Sequence, residues 1–271
     1  MEIYYGIPPV DRLSEIKKRY GGVVVSESEA LSHSIIFLKE MGVPIITGDS
    51  PVQKSAKKES RVKIGGFPVD ICCVSGRACE HSLPLGLWRS EAALASGRLP
   101  TGSDYIYCAR NGAAIRLFDF YGEKKALLGS ISEKTALNLQ IRTLSLFKSG
   151  VLVVLPHTRS AEQILFLKSR LPCAKLCAMY EDVGADIENT CRRVENCFVG
   201  SNDLLRAGLT ASEVIDFIEK AAYFARKYGK KLIICGKITE NEEFLRSCGR
   251  IGVSALCIDE DAYPLIARCF T

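Results

Sequence analysis

The stretch 196–235, NCFVGSNDLLRAGLTASEVIDFIEKAAYFARKYGKKLIIC, decides the fold class. It opens and closes on short apolar strand patterns, at 196–200 and 231–235. Between them, 210–228 reads as an amphipathic helix. Thr210 can cap its start, and Glu213 three residues on completes a capping box ahead of the stripe Val214, Ile215, Phe217, Ile218 and Ala221. A strand, a capped helix and a second strand in succession point to a parallel sheet with helices packed on it.

The same alternation extends in both directions. Strand patterns recur at 68–74, 84–88, 113–118, 150–155, 174–180 and 253–258, and helix patterns at 134–148, 160–171, 184–193 and 240–249. With the pair already quoted, this makes eight strands in about 210 residues, the count of a (β/α)8 TIM-type barrel. A doubly wound open sheet is the alternative. Ahead of the barrel lie a strand at 21–25, a helix at 33–41, a strand at 43–47 and a polar, Pro-containing linker at 50–60. The expected organisation is a small α/β unit over 1–60 and a barrel over 61–271. A 60-residue unit buries little core, so it is expected to pack against the barrel.

Bulk properties narrow the function classes. The chain has 271 residues, 47% hydrophobic and 25% charged, with 36 basic and 31 acidic side chains and a formal net charge of +5. That excess is too diffuse for a nucleic-acid footprint, and the basic cluster Lys54, Lys57, Lys58, Arg61 and Lys63 is broken by Ser and Glu. No apolar run approaches a membrane span, and the start lacks a signal peptide's basic-then-apolar order, so a cytoplasmic protein is expected. The twelve cysteines include no CxxC pair, and many sit in apolar strand patterns such as VDICCV and LIICG. They read as reduced, buried small hydrophobes.

In a barrel, chemistry belongs to the carboxyl ends of the strands. The polar residues there are Arg89 and Glu91, Arg116 and Asp119, His157 and Arg159, Glu181 and Asp182, Asn202 and Asp203, and Cys235 and Lys237. Arginines offer planar bidentate contacts to phosphate or carboxylate. Carboxylates on neighbouring strands suit Mg2+, which takes one or two of them beside substrate oxygens. A thiol at the mouth can move a proton. Together these residues describe a site for a small phosphorylated acid with a divalent metal. His81 and His157 are assigned to surface or loop roles, with a lining position in the site as the alternative for His157, which follows the fourth barrel strand.

These residues carry a resemblance. GVVVSESEALSHSIIFLKEMGVPIITG at 22–48, LGLWRSE at 85–91, IRLFDFYGEKK at 115–125, VLPHTRSAEQI, CAMYED, CFVGSNDLLRAGL, LIICGK and LRSCGRIGVSALCID follow one another in order. The chain resembles the phosphoenolpyruvate-utilising enzymes, and most closely enzyme I of the phosphotransferase system. The resemblance implies a phosphoenolpyruvate/pyruvate-binding barrel behind a truncated swivelling phosphohistidine segment. It implies phosphotransfer to His33, phosphate-holding arginines Arg89 and Arg116, a substrate-contacting Asn202, Mg2+ on Glu181 and Asp203, and a proton-donating Cys235. Phosphoenolpyruvate or pyruvate, a phosphocarrier protein and a barrel-mediated homodimer are the partners it implies. The alternative is a degenerate anion-binding regulatory or interaction protein. A weaker reading is a barrel lyase acting on a small keto acid through Mg2+ and Cys235.

Overall fold

Eight parallel strands close on themselves in a computed structural model that describes residues 2–5, 7–25, 33–43, 45–47, 59–76, 78, 81–95, 98–120, 132–147 and 150–270. An amino-terminal three-stranded parallel sheet comes first, in order β1 (Glu2–Tyr5), β2 (Tyr20–Val25) and β3 (Ile45–Thr47), with α1 (Leu13–Arg19) and α2 (His33–Glu40) as its helices. Then β4 (Arg61–Ile64) forms an antiparallel hairpin with β5 (Phe67–Ser75). The barrel runs through β5, β6 (Leu85–Arg89), β7 (Ala114–Arg116), β8 (Leu152–Leu155), β9 (Lys175–Tyr180), β10 (Asn196–Gly200), β11 (Lys231–Cys235) and β12 (Ala255–Ile258). It closes where β12 pairs with β5, Ala255 to Ile258 beside Asp70 to Cys73. The eight-strand expectation holds, and the open-sheet alternative does not.

The helices between strands are α3 (Ala92–Ala95), α4 (Gly102–Arg110), α5 (Glu133–Leu144), α6 (Ala161–Arg170), α7 (Ile187–Cys191), α8 (Ser201–Arg206), α9 (Ala211–Lys227) and α10 (Glu242–Ile251), and α11 (Tyr263–Ala267) follows β12. The longest, α9, has the capping box read from sequence: Thr210 Oγ1 accepts from Glu213 N, and Glu213 Oε2 accepts from Thr210 N at 2.8 Å. Its apolar face, Val214, Ile215, Phe217, Ile218, Ala221, Ala222 and Ala225, is buried. No helix among the described residues is long and apolar enough to cross a membrane.

Strand alternation separates two apolar layers. One set of side chains, including Leu87, Ala114, Val154, Met179, Phe198, Ile233, Cys235 and Cys257, fills the barrel interior. The other, including Ile71, Cys73, Trp88, Ile115, Val153, Tyr180 and Ile234, packs under the helices. All eleven cysteines described are free, and only Cys173 is exposed, as the composition suggested.

The amino-terminal unit has its own core of Val10, Leu13, Ile16, Val23, Val25, Ile35, Phe37 and Leu38, which extends onto Ala92 and Ala95 of α3. Ser14 Oγ donates to Ala95 O at 3.1 Å, and Lys39 Nζ lies 3.2 Å from Asp261 and 3.8 Å from Asp259. The unit therefore rests on segments that follow β6 and β12, at the carboxyl end of the barrel. The linker at 50–58 lies outside the described residues, as do Lys54, Lys57 and Lys58 of the basic cluster. Arg61 and Lys63 are exposed positions of β4.

Candidate active site

The site grows from the end of β7. Arg116 closes that strand and is buried, 8% of its side chain accessible. Its Nη2 reaches Glu91 Oε1 at 2.6 Å and Asp119 Oδ2 at 2.9 Å, and its Nη1 lies 3.5 Å from Glu181 Oε1. Glu91 and Asp119 are 0% and 2% accessible. Burial alone would lower the affinity of the guanidinium for its proton, but Glu91, Glu181, Asp119 and Asp203 outweigh it, and the net shift is upward. Arg116 is therefore a permanent cation at this depth. A hydrogen-bond chain fixes the backbone behind it: Ser90 Oγ donates to Arg116 O, Gln140 Nε2 donates to Ser90 Oγ, and Phe118 N donates to Gln140 Oε1, all at 2.7 Å.

His157 follows β8 with φ 45°, the one non-glycine residue at positive φ among those described. Such a conformation costs on the order of 1–3 kcal/mol and persists only where the surroundings impose it. Here its N–H donates to Glu181 Oε2 at 3.0 Å. Its Nε2 stands 3.5 Å from Asp119 Oδ1, 3.8 Å from Glu181 Oε2 and 3.9 Å from Asp203 Oδ2. Desolvation pulls the imidazole pKa down, yet the hydrogen bond to Asp119 and the charges of Glu181, Asp119 and Asp203 raise it overall. One ligand atom each from His157, Glu181 and Asp203 lies within 4.8 Å of the others, a spacing that can hold a metal ion. Asp203 also pairs with Arg206 at 2.5 Å.

Gly200 makes room for this arrangement. A Cβ there would come within 2.7 Å of Glu181 Oε1 and 2.8 Å of its Cγ, so any larger residue would displace the carboxylate. Gly236, at φ +91°, plays the same part beside Asn202, whose Oδ1 would meet a Cβ at 2.6 Å.

Of the residues singled out in the sequence, Arg116, Glu181 and Asp203 come together. Asn202 stands beside them but spends its Oδ1 on Lys237 N at 2.8 Å, tying the loop after β10 to the loop after β11. Arg89 turns aside, with Nη2 3.6 Å from Asp259 Oδ1. Cys235 lies in the barrel interior, 6% exposed, paired in register with Cys257. The helix α2 begins at His33, whose side chain is outside the described residues. Glu91, Asp119 and His157 were visible as strand-end residues, but nothing in their spacing marked them as the shell around Arg116. His157 takes the alternative position, with its Nε2 facing Asp119, Glu181 and Asp203. At the opposite, amino-terminal end of the barrel, a cleft of about 260 Å³ is lined by Gly112, Lys175, Glu195 and Lys231. Barrels use that face for stability, not chemistry.

No family model matches the chain, and no curated relative does. Among solved structures it is similar to RipC from Yersinia pestis, at 15% identity and TM-score 0.53 over 75% of this chain and 95% of that one. A HpcH/HpaI aldolase/citrate lyase family protein from Burkholderia cenocepacia aligns at 11% identity and TM-score 0.31 over 99% of this chain and 91% of that one. At these identities the likeness to RipC speaks for the barrel fold alone.

The enzyme I resemblance is thereby corrected. The solved barrel with which this chain shares its fold is RipC, not a phosphoenolpyruvate-utilising enzyme. The phosphotransferase reading, with its phosphoenolpyruvate donor, phosphohistidine acceptor and place in the phosphotransferase system, is withdrawn. The geometry supplies a physical reason. A phosphate-binding arginine must present its fork to the ligand, whereas Arg116 spends its fork on Glu91, Asp119 and Glu181. Apolar strands ending in Arg, Glu or Asp are what a buried acidic barrel mouth demands, so short motifs of that kind match without shared chemistry.

Proposed function

We propose that this chain is a divalent-metal-dependent barrel enzyme that binds a small 2-oxo acid at its mouth and stabilises an enolate, the chemistry of a carbon–carbon lyase. The observation that supports it is the convergence of His157, Glu181 and Asp203 beside the buried Arg116 at the carboxyl ends of β7 to β10.

The donor set fits a hard or borderline cation. Metal–oxygen bonds of about 2.1 Å put adjacent octahedral ligands about 3.0 Å apart and opposite ones about 4.2 Å apart. The distances of 3.8 and 3.9 Å from His157 Nε2 to Glu181 and Asp203 are wider than an adjacent pair, so a bound ion would draw these donors inward by up to about 1 Å. Two carboxylates suit Mg2+, and an added imidazole favours Mn2+. Bound there, the ion supplies a Lewis acid for the oxygens of the oxo acid. Arg116, held by Glu91 and Asp119, partly neutralises Glu181 and keeps that carboxylate in place among the metal donors. Glu181 is itself oriented by the His157 N–H, and Gly200 keeps the path of β10 clear of it.

The test is solvent exchange of the methyl protons of pyruvate, followed by NMR in D2O. Exchange that requires Mn2+ or Mg2+, stops with chelator and is lost in Glu181→Gln supports the reading. Mn2+ binding without any exchange in this or other short 2-oxo acids would overturn the enzyme assignment.

A further inference from the structure

We propose a second metal site, for zinc, built from Cys73, His81 and Glu260 at the seam where the barrel closes. It shares no residue with the mouth cluster and does not depend on the function proposed above.

The site follows from strand alternation. In β5, FPVDICCVS, Cys72 lines the barrel interior and Cys73 points the other way, fully buried beneath the helix layer. Residues 81–83, ahead of β6, lie against this thiol: Cys73 Sγ donates to Leu83 O at 3.7 Å, and the His81 side chain is only 5% accessible. Glu260 arrives from the segment after β12, the strand paired with β5. Its Oε1 accepts from Ser82 N at 2.7 Å, from Leu83 N at 3.1 Å and from the Ser82 hydroxyl. That oxygen is thus anchored by the very loop that carries His81, and Oε2 is directed at His81 Nδ1, 3.4 Å away. Ligating carboxylates are oriented in this manner by hydrogen bonds to the oxygen that faces away from the ion.

The separation of His81 and Glu260 is compatible with two ligands around one ion. A charge-assisted N–H···O contact between imidazolium and carboxylate would close to about 2.7–2.9 Å. Two ligands on a tetrahedral zinc with bonds of about 2.0–2.1 Å stand about 3.3 Å apart. The 3.4 Å between His81 and Glu260 matches the second figure, and one donor atom from each of Cys73, His81 and Glu260 lies within 4.8 Å of the others. One thiolate, one imidazole and one carboxylate form a mixed S, N, O set that selects a borderline-soft ion over Mg2+ or Ca2+. The Glu260 side chain is 29% accessible, so the cluster meets solvent on the Glu260 side. An ion here would staple β5, the β5–β6 link and the segment after β12, the three pieces that meet where the first and last barrel strands join.

Cobalt and zinc are the probes, used on the full chain after chelator dialysis. One equivalent of Co2+ is expected to give a near-ultraviolet thiolate-to-cobalt band that Zn2+ abolishes by displacement. Cys73→Ser removes the band, His81→Ala and Glu260→Gln weaken binding at least about tenfold, and Asp203→Asn leaves the band unchanged. X-ray absorption of the zinc-loaded wild type is expected to show one sulfur near about 2.3 Å, a readout that does not depend on whether any variant folds. A zinc shell without sulfur, or a cobalt band of full intensity in folded Cys73→Ser, overturns the site.

Discussion

Arg116→Ala is the perturbation whose cost the geometry sets most clearly. The guanidinium touches Glu91 at 2.6 Å, Asp119 at 2.9 Å and Glu181 at 3.5 Å, and the side chains of all four are at most 8% accessible. Deleting it leaves three carboxylates that face one another in a poorly solvated pocket. Breaking a buried pair by removing one partner costs about 3–5 kcal/mol, because an uncompensated charge stays behind. For a chain of this size each kcal/mol moves the melting temperature by roughly 2–4 °C, so the fall should be about 6–20 °C. Calorimetry in the absence of divalent metal at pH 7 measures it. The deficit should shrink as pH falls, because protonation of the stranded carboxylates removes the repulsion. A loss below about 1 kcal/mol, against the 3–5 expected for a buried pair, or a deficit independent of pH, would refute the picture of a buried cation neutralising an acidic cluster.

Three further outcomes are expected. Gly200→Ala, which places a methyl within 2.7 Å of Glu181 Oε1, should weaken Mn2+ binding at least about tenfold in calorimetric titration while far-ultraviolet circular dichroism stays native. Thr210→Ala removes the cap of α9 and should cost about 1 kcal/mol in urea denaturation, with Glu213→Ala costing no more. In metal-free protein the raised pKa of His157 stabilises the fold fully below the unfolded value of about 6.5 and is lost as pH rises through the folded value. The stability gap between wild type and His157→Gln should therefore narrow from pH 6 to pH 9 in denaturation curves.

The barrel was legible because its parallel strands are short apolar blocks with capped helices between them. The strands at 196–200 and 231–235 fall on β10 and β11 residue for residue, and Thr210 with Glu213 marks the start of α9. Elements with weaker patterns were missed. The strand β1 has only four residues, EIYY, and β4 is a four-residue edge hairpin strand outside the closed ring. The helix α4 carries a Thr101–Asp104 capping box that would have signalled it. The site was legible as a set of strand-end polar residues and illegible as a network. Register around the barrel brings Glu91 and Glu181 to opposite sides of Arg116, and no local spacing records that. An arginine read alone invites a phosphate, and here its partners are carboxylates of the same chain. The left-handed turn at His157 was equally hidden, because histidine, although enriched among the non-glycine residues at positive φ, adopts it in only a small minority of cases.

The central claim is a divalent cation held by His157, Glu181 and Asp203. Mn2+ titration followed by electron paramagnetic resonance of the free ion tests it most directly, with wild type compared against Asp203→Asn and His157→Gln. The account predicts a wild-type site that either substitution weakens at least about tenfold while Cys73→Ser leaves it intact. Wild-type binding that is absent at millimolar Mn2+, or unchanged by both substitutions, would contradict it.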